Sequence, residues 1–230
     1  MAKVAVITGS NGKIGQATCR RLALSGYTVV GIDLASDGAG NWPHYQCDLS
    51  DLKKMADVFA CIEATHGLIQ VLFNNAAIYN SGTDALTLDP EKFDATMDVN
   101  VRAPFFAAQW MAKRLIEKGE TGAIVSVASR AGQNGSTVVD YGASKAAVIN
   151  MTKSLGKRLG PHGIRVNAIA PGLIDTAMGA RVPETHKVNH AATSALRRVG
   201  QPEEIANVVN FLVSEESSFI TCATIDVNGG

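Results

Sequence analysis

Short runs of apolar, mostly β-branched residues alternate with helical patterns along nearly the whole chain. Buried parallel strands are predicted at 3–8, 28–33, 71–76, 123–128, 164–170 and 223–227, with a short edge strand at 45–48. Helical patterns lie near 13–25, 50–65, 92–118, 139–160 and 202–213. The stretch at 36–44 is loop-like, so no crossover helix is expected after the second strand. This alternation predicts an α/β fold with a doubly wound parallel sheet of about seven strands and helices on both faces.

Length and composition narrow the possible partners. A chain of 230 residues suits one domain over 1–230 and is too short for two full domains. Lys plus Arg number 21 and so do Asp plus Glu, so no net charge attracts nucleic acid or an anionic membrane. No apolar run reaches the roughly 18 residues of a membrane helix, and the start lacks a signal-peptide pattern. The four cysteines are scattered, and we expect them to be free thiols, as is usual in a reducing compartment. We therefore expect a cytoplasmic protein.

The stretch TGSNGKIG at 8–15 follows a strand and opens a helix, as a dinucleotide-binding turn must. Glycines permit a positive φ and close approach of the backbone to phosphate, and the helix start offers unpaired N–H groups. A glycine-rich surface turn is the alternative. We expect cofactor contacts from Gly9, Asn11, Gly12, Lys13, Ile14 and Gly15.

Asp33 stands at the end of the second predicted strand, 18 residues beyond Gly15. A carboxylate at this place can accept hydrogen bonds from both ribose hydroxyls of an adenosine. It would also repel a 2′-phosphate, which favours NAD over NADP as the cofactor. Lys13 would favour NADP if its side chain reached that 2′-phosphate. The sequence leaves open whether this side chain lies near the pyrophosphate or in solvent.

Taken in order, TGSNGKIG, CDLS, NNAAI, MDVN, SVAS, YGASK, NAIAPG and VNGG resemble the motifs of the short-chain dehydrogenase/reductases over nearly all of the chain. The resemblance implies a Rossmann fold, an NAD(P)-dependent oxidoreductase, and a homodimer or homotetramer formed through helices like 92–118 and 139–160. Small residues such as Gly142 and Ala143 would permit that packing, but equally suit packing on the sheet. Two departures are Lys13 and Ala77, which stand where the family usually has glycine.

Tyr141 and Lys145 are spaced i, i+4 on the predicted 139–160 helix, which places them on one face. A phenol of pKa about 10 needs roughly 4 kcal/mol of stabilisation to ionise near pH 7. A lysine cation about 4 Å away supplies that amount at an effective dielectric constant near 20, and a charged nicotinamide would add to it. The pair is therefore expected to lower the pKa of Tyr141 in a partly dry cleft, although an exposed surface pair is the alternative.

Two further residues complete a catalytic set. Ser129 follows the 123–128 strand, where a parallel sheet places its ligand crevice, and its hydroxyl can stabilise an oxyanion; Ser126 is the alternative serine. Asn100 precedes Pro104 by four residues, and proline lacks the N–H that would bond its carbonyl. A kink and a freed carbonyl are expected there. The resemblance implies that Ser129, Tyr141 and Lys145 are catalytic and that Asn100 holds a water for proton relay; an Asn capping a helix break is its alternative.

The remaining cofactor contacts come from strand ends and from the resemblance. Asn75 and Ala76 end the fourth predicted strand beside the expected ribose, and Ala77 follows them. The resemblance implies further contacts to the adenine from Asp48 and Leu49, to the ribose from Tyr141 and Lys145, and to the nicotinamide amide from Pro171, Gly172, Ile174 and Thr176. His186 and His190 lack a third ligand of suitable spacing, so no metal site is expected.

These observations predict an NAD-dependent oxidoreductase that transfers a hydride between nicotinamide and a secondary alcohol or ketone. Cyclic diols, steroids and hydroxyacyl thioesters are candidate substrates, and residues 177–195 are expected to form a mobile segment over the site. A nonenzymatic NAD-sensing or scaffold protein is an alternative. Nucleotide-sugar epimerisation, suggested by the loop spacing, would need a larger substrate region than the roughly 60 residues after NAIAPG.

Overall fold

A computed structural model describes residues 2–80, 84–180, 185 and 192–230. Within these ranges the seven strands are β1 (Val4–Thr8), β2 (Thr28–Asp33), β3 (His44–Gln46), β4 (Ile69–Asn74), β5 (Gly122–Val127), β6 (Ile164–Pro171) and β7 (Thr224–Val227). Every adjacent pair is parallel. The doubly wound sheet predicted from the sequence is confirmed.

The sheet order is β3-β2-β1-β4-β5-β6-β7, so the chain reverses its direction of winding between β1 and β4. In sheets of this kind the ligand crevice lies outside the carboxyl ends of the strands at the reversal. The glycine-rich turn follows β1 and Asn75 follows β4, so both stand at this switch point.

The α-helices with bounds in the described residues are α1 (Lys13–Leu24), α2 (Leu52–His66), α3 (Pro90–Met97), α4 (Ala103–Lys118), α5 (Arg130–Asn134), α6 (Val139–Leu159), α7 (Ala177–Ala180) and α8 (Pro202–Val213). One apolar layer under the sheet includes Leu22 of α1 and Ile205 of α8. The other includes Phe59 of α2 and Met111 of α4. Both faces of the sheet are thus covered, which explains why its central strands are apolar throughout rather than alternating.

The predicted 92–118 helix is two helices joined by one turn of π-helix at Asp98–Arg102. The Ala103 N–H donates to the Asp98 carbonyl, five residues back, while Pro104 has no N–H to donate. The break expected at Asn100 is therefore present as a π-turn. Residues 34–43 between β2 and β3 contain no helix, as the sequence predicted.

The described residues contain no helix that is both long and apolar enough to cross a membrane. Nor do they contain a group of three or more metal-ligating side chains. His186 and His190 lie outside the described residues, and so does most of the 177–195 segment.

Candidate active site

One cavity of about 1000 Å³ opens at the carboxyl ends of the strands. Its wall brings together all but three of the residues expected from the sequence: Gly9, Gly12, Lys13, Ile14, Asp33, Asp48, Leu49, Asn75, Ala76, Ala77, Ser129, Tyr141, Lys145, Pro171, Gly172, Ile174 and Thr176. Asn11, Gly15 and Asn100 are not among the residues of this wall. Their contacts are therefore with the protein itself, as described below.

The glycine-rich turn needs two of its three glycines for steric reasons. Gly9 has a φ of +64°, and a Cβ there would come within 2.9 Å of the Ala76 Cα. A Cβ on Gly15 would overlap the Gly9 carbonyl oxygen. Gly12 has an ordinary φ of −67°, and the nearest atom to an added Cβ is 3.4 Å away. Gly9 and Gly15 thus set the path of the turn, whereas Gly12 has room for a small side chain.

Asn11 fastens the turn to the loop after β2. Its side chain donates to the Asp37 carbonyl at 2.7 Å and accepts from the Ala39 N–H at 3.0 Å. Its backbone N–H donates to the Asp33 carboxylate at 2.9 Å. Both polar groups of the side-chain amide are thus used within the protein.

The two expected adenosine-side carboxylates are held by backbone N–H groups. The second oxygen of Asp33 accepts from the Ala35 N–H at 3.3 Å. Asp48 accepts from the backbone N–H and the hydroxyl of Ser50, at 2.9 and 2.7 Å. These contacts fix both carboxylates on the wall at one end of the cavity.

Lys13 lies on the wall of the main cavity, and its side chain is bound to an acidic residue at the rim. Its ammonium group lies 3.2 Å from the Asp175 carboxylate, and both side chains are about half exposed. The ion pair therefore joins the start of α1 to the segment after β6, across the rim of the cavity. Ala77, the other departure from the family pattern, is not among the described non-glycine residues with positive φ, so its methyl group introduces no backbone strain.

Asn75 ties the end of β4 to the glycine-rich turn. Its side chain donates to the carbonyls of Thr8 and Gly9, both at 3.0 Å. The Thr8 hydroxyl accepts in return from the backbone N–H groups of Asn75 and Ala76, at 3.0 and 3.2 Å. Hydrogen bonds within the chain therefore join the ends of β1 and β4 at the switch point. Thr8 takes part in these contacts, and the sequence analysis did not include it among the site residues.

Tyr141, in the first turn of α6, has its phenol hydrogen-bonded with Ser129. Burial raises the pKa of Tyr141 above its ordinary 10.0, and the Ser129 hydrogen bond lowers that pKa only in part. The lowered pKa expected from the sequence is therefore wrong for this structure. The physical reason is that burial disfavours the phenolate more strongly than the Ser129 hydrogen bond favours it.

Lys145 is fully buried beneath the tyrosine. Its ammonium group donates to the Val127 carbonyl at 2.7 Å and lies 5.5 Å from the centroid of the Tyr141 ring. Burial lowers the pKa of Lys145 from 10.5 to about 8. Two neighbouring groups thus have their pKa values moved in opposite directions by the same desolvation, which is typical of proton-transfer sites.

The Asn100 side chain clamps the loop that follows β4. Its oxygen accepts from the Ile78 N–H at 2.8 Å and its nitrogen donates to the Ile78 carbonyl at 2.9 Å. The same nitrogen donates to the Ser144 hydroxyl of α6 at 3.1 Å. The side chain therefore links the π-turn, the loop and the helix that carries Tyr141, a role that the sequence analysis did not foresee.

Ser129 occupies the N-cap of α5, where its hydroxyl accepts from the Ala131 N–H at 3.2 Å. Gly132 explains the close contact between α5 and α6, because a Cβ on it would lie 2.5 Å from the Lys145 carbonyl carbon. Ser126, the alternative serine, is buried in β5 and accepts from the Asn74 side chain at 3.3 Å. It is not on the cavity wall, so the geometry favours Ser129.

The segment after β6 closes the other side of the cavity. The Asp175 N–H donates to the Gly200 carbonyl at 2.9 Å, and the Gly200 N–H donates to the Leu173 carbonyl at 3.0 Å. The Thr176 hydroxyl accepts from the Gly179 N–H at 3.0 Å. Backbone pairing with residue 200 thus holds Ile174 and Thr176 against the cavity.

A nicotinamide dinucleotide fits these residues. The strand order places Asp33 after β2, the glycine-rich turn after β1 and Ser129 after β5. All three line the cavity, whose volume is at the upper end for ligand pockets. The order of its wall matches adenosine, pyrophosphate and nicotinamide in sequence. Fold and site together define a Rossmann-type oxidoreductase.

Comparisons with known proteins give the family. A family model described as enoyl-(acyl carrier protein) reductase matches residues 9–230. The chain is 36% identical over 242 residues to 3-oxoacyl-(acyl-carrier-protein) reductase of Thermotoga maritima, covering 99% of this chain and 97% of that protein. It is 32% identical over 250 residues to (3R)-3-hydroxyacyl-CoA dehydrogenase of Mus musculus, covering 99% and 95%.

A solved structure of a short-chain type dehydrogenase/reductase from Mycobacterium marinum superposes with a TM-score of 0.90 at 29% identity. It covers 99% of this chain and 94% of that one. The chain belongs to the short-chain dehydrogenase/reductase family, as the motifs indicated. It is an NAD(P)-dependent oxidoreductase that acts on hydroxyl and keto groups.

Proposed function

We propose that this protein uses NAD to interconvert a secondary alcohol and its ketone through Ser129, Tyr141, Lys145 and Asn100. The observation that carries the proposal is the meeting of Ser129, Tyr141 and Lys145 at one end of a cavity whose other end holds the Asp33 carboxylate. Bound NAD would supply the hydride acceptor, and NADH the hydride donor. The residues of the chain then have to position the substrate oxygen and move its proton.

Tyr141 is the proton donor in reduction and the acceptor in oxidation. The raised pKa of Tyr141 keeps the phenol protonated at neutral pH, which is the state that donates to a carbonyl oxygen. Ser129 already hydrogen bonds this phenol, so its hydroxyl stands where it can also stabilise charge on the substrate oxygen. This arrangement favours reduction, whereas oxidation requires the pKa of Tyr141 to fall when substrate and cofactor are bound.

Lys145 supplies positive charge beneath Tyr141 and donors for a ribose. Its ammonium group has one described acceptor, the Val127 carbonyl, which leaves two of its three donors for a ligand. Asn100 joins the loop after β4 to α6 through its hydrogen bonds with Ile78 and Ser144. We further propose that its backbone carbonyl, four residues before Pro104, supports proton relay from Lys145.

The preference for NAD over NADP rests on charge. The carboxylates of Asp33 and Asp48 stand on the adenosine side of the cavity, where they would repel a 2′-phosphate. Within the described lining the cations are Lys13 and Lys145. Lys13 is paired with Asp175 and Lys145 is buried at the other end, so neither offers a ready partner for that phosphate.

We propose a homodimer or homotetramer, with α4 and α6 as the interface helices. Ala143 and Ala146 lie exposed on α6, while Gly142 is buried against Ser136 within the chain. Small exposed residues permit another helix to approach closely. Light scattering of the wild type and of an Ala146→Glu variant tests this proposal, because the variant should dissociate.

A substrate panel tests the proposed reaction. Purified protein would be assayed with NADH and NADPH against simple ketones, cyclic diketones, oxosteroids and 3-oxoacyl thioesters; the names of the relatives make the thioesters a natural first choice. Tyr141→Phe should lower kcat at least about 100-fold, the usual contribution of a positioned acid, while NADH affinity stays within about 2-fold. Tyr27→Phe, which removes a remote hydroxyl bonded to Val213, is the matched control. Retained turnover in Tyr141→Phe contradicts the proposal.

A further inference from the structure

A second, open cavity of about 450 Å³ adjoins the main one beside the catalytic serine. It shares Ser129 and residues 171–173 with the main cavity. It adds Arg130 and Asn134 from α5. A substrate whose oxygen lies against Ser129 therefore has space on this side for a substituent remote from the reacting carbon.

Arg130 is the charged residue on the wall of this second cavity. Its side chain is partly buried, and no hydrogen bond or ion pair joins its guanidinium to any residue in the part of the chain that the structure describes. A guanidinium is always charged and carries five N–H donors in a planar fork. On the same short helix, Gln133 donates instead to the Asp226 carboxylate at 2.7 Å.

The two cavities differ in the sign of their charge. Carboxylates line the main cavity at five described positions: Asp33, Asp48, Glu91, Asp94 and Asp98. None of the described residues that line the second cavity is acidic. An anionic substituent on the substrate would be drawn towards Arg130. The planar fork matches a carboxylate or a phosphate, which each present two oxygens.

We propose that Arg130 binds an anionic oxygen group, a carboxylate or a phosphate, carried by the alcohol or ketone substrate. The proposal rests on the proposed function, because it places the reacting oxygen at Ser129. It makes Arg130 a residue that determines substrate specificity. The substrate is accordingly a hydroxy or oxo compound with a fixed negative charge.

Matched substrate pairs test this specificity. Acetoacetate and methyl acetoacetate differ in a carboxylate charge, and acetoacetyl-CoA and the acetoacetyl thioester of N-acetylcysteamine differ in phosphates. Wild type should prefer the anionic member of at least one pair. Arg130→Gln should lower kcat/KM for that member roughly 10- to 100-fold, as expected for a charged hydrogen bond, and change the neutral member less than about 2-fold. Arg130→Lys should recover part of the loss, because it keeps the charge without the fork.

The pair that responds identifies the anion as carboxylate or phosphate. Arg20→Gln is the matched control, since Arg20 is an exposed arginine on α1 whose partner is Glu203 at 3.8 Å. Equal losses for charged and neutral substrates, or a wild type without preference for either anion, would overturn the role of Arg130.

A binding measurement separates failure of this inference from failure of the proposed function. The complex with oxidised NAD cannot reduce a ketone, so calorimetry with the same four ketones reports affinity without turnover. Wild type should bind an anionic ketone more tightly than its neutral partner, and Arg130→Gln should abolish the difference. Equal affinities in wild type refute the anion site. Absence of turnover with every substrate, while the charge preference in binding persists, contradicts the proposed reaction instead.

Discussion

The ring of Tyr79 meets the ring of Tyr141 edge to face, with centroids 5.0 Å apart and an interplanar angle of 82°. Hydrogen bonds fix both chain neighbours of Tyr79. Asn100 bonds the N–H and the carbonyl of Ile78, and the Asn80 side chain donates to the buried carboxylate of Asp140 at 3.3 Å. Tyr79 also lines the main cavity. The loop after β4 therefore holds one aromatic wall against the proposed proton donor.

Replacing Tyr79 by Ala should lower kcat/KM about 3- to 10-fold, because an edge-to-face pair contributes about 0.5–1.5 kcal/mol and its loss lets the Tyr141 ring move. Tyr79→Phe keeps the ring and should stay near wild type. Steady-state kinetics and NADH titration check both variants. The interpretation fails if Tyr79→Ala is fully active, or if it weakens NADH binding by the same factor as turnover.

The sequence predicted the sheet well, because apolar runs in a parallel sheet are continuous and easy to delimit. Two strands end two residues earlier than expected: the edge strand, expected at 45–48, is His44–Gln46, and the fourth strand, expected at 71–76, is Ile69–Asn74. Asn75 leaves the ladder because its N–H and side chain bond the end of β1 instead. The break expected at Asn100 within 92–118 takes the form of a π-turn, since Pro104 removes one donor there.

Most of the candidate site also followed from the sequence, because residues at the carboxyl ends of parallel strands must meet at one edge. The features of the site that the sequence did not predict depend on contacts between distant segments of the chain. The Lys13–Asp175 ion pair joins positions on opposite rims. The direction of the Tyr141 pKa shift follows from burial, and the loop that carries Tyr79 packs against the ring of Tyr141. The spacing of residues along one helix gives no information on the ion pair or on the burial of Tyr141.

Asp33→Ala should weaken NADH binding roughly 10- to 100-fold, the range for hydrogen bonds to a charged group, and should change NADPH binding much less. The reason is that the carboxylate favours ribose hydroxyls and repels a 2′-phosphate. Fluorescence titration with both cofactors gives the two affinities. Because both oxygens of Asp33 accept backbone N–H groups, from Asn11 and Ala35, Asp33→Asn serves as a control that removes the charge and keeps one acceptor. Equal weakening of NADH and NADPH would refute the assignment of NAD.

The pH dependence of turnover should differ between the two directions. Because the pKa of Tyr141 is raised by burial, the phenol stays protonated at neutral pH, so reduction should be nearly constant from about pH 6 to 8 while oxidation rises with pH. The Ser129 hydrogen bond lowers the pKa of Tyr141, so Ser129→Ala should move the rise in oxidation to higher pH.

The control for this variant is Ser126→Ala, which removes a buried hydroxyl away from the cavity wall and should leave the profile in place. Initial rates with both cofactor forms give the profiles. An oxidation profile that does not shift in Ser129→Ala argues against coupling between the two hydroxyls.

Lys145 should make the stability of the protein depend on pH. Its pKa is about 8 in the folded chain and 10.5 ordinarily, so between these values the unfolded chain binds more protons at this site. Stability from this residue therefore rises with pH across that window, by on the order of 3 kcal/mol. Below about pH 8 the buried charge lowers the free energy of unfolding by that amount.

Lys145→Met removes this penalty at neutral pH, so the variant should be inactive yet more stable than wild type at pH 7, with the advantage shrinking towards pH 10. Denaturant unfolding at several pH values measures the difference. Cys19, whose pKa burial raises to about 12, titrates in both proteins and cancels in the comparison. Lys157→Met, an exposed lysine of the same helix, gives the baseline. A stability difference that is constant from pH 7 to 10 would mean that Lys145 is not charged and desolvated in the folded chain, and its proposed electrostatic role would then have no basis.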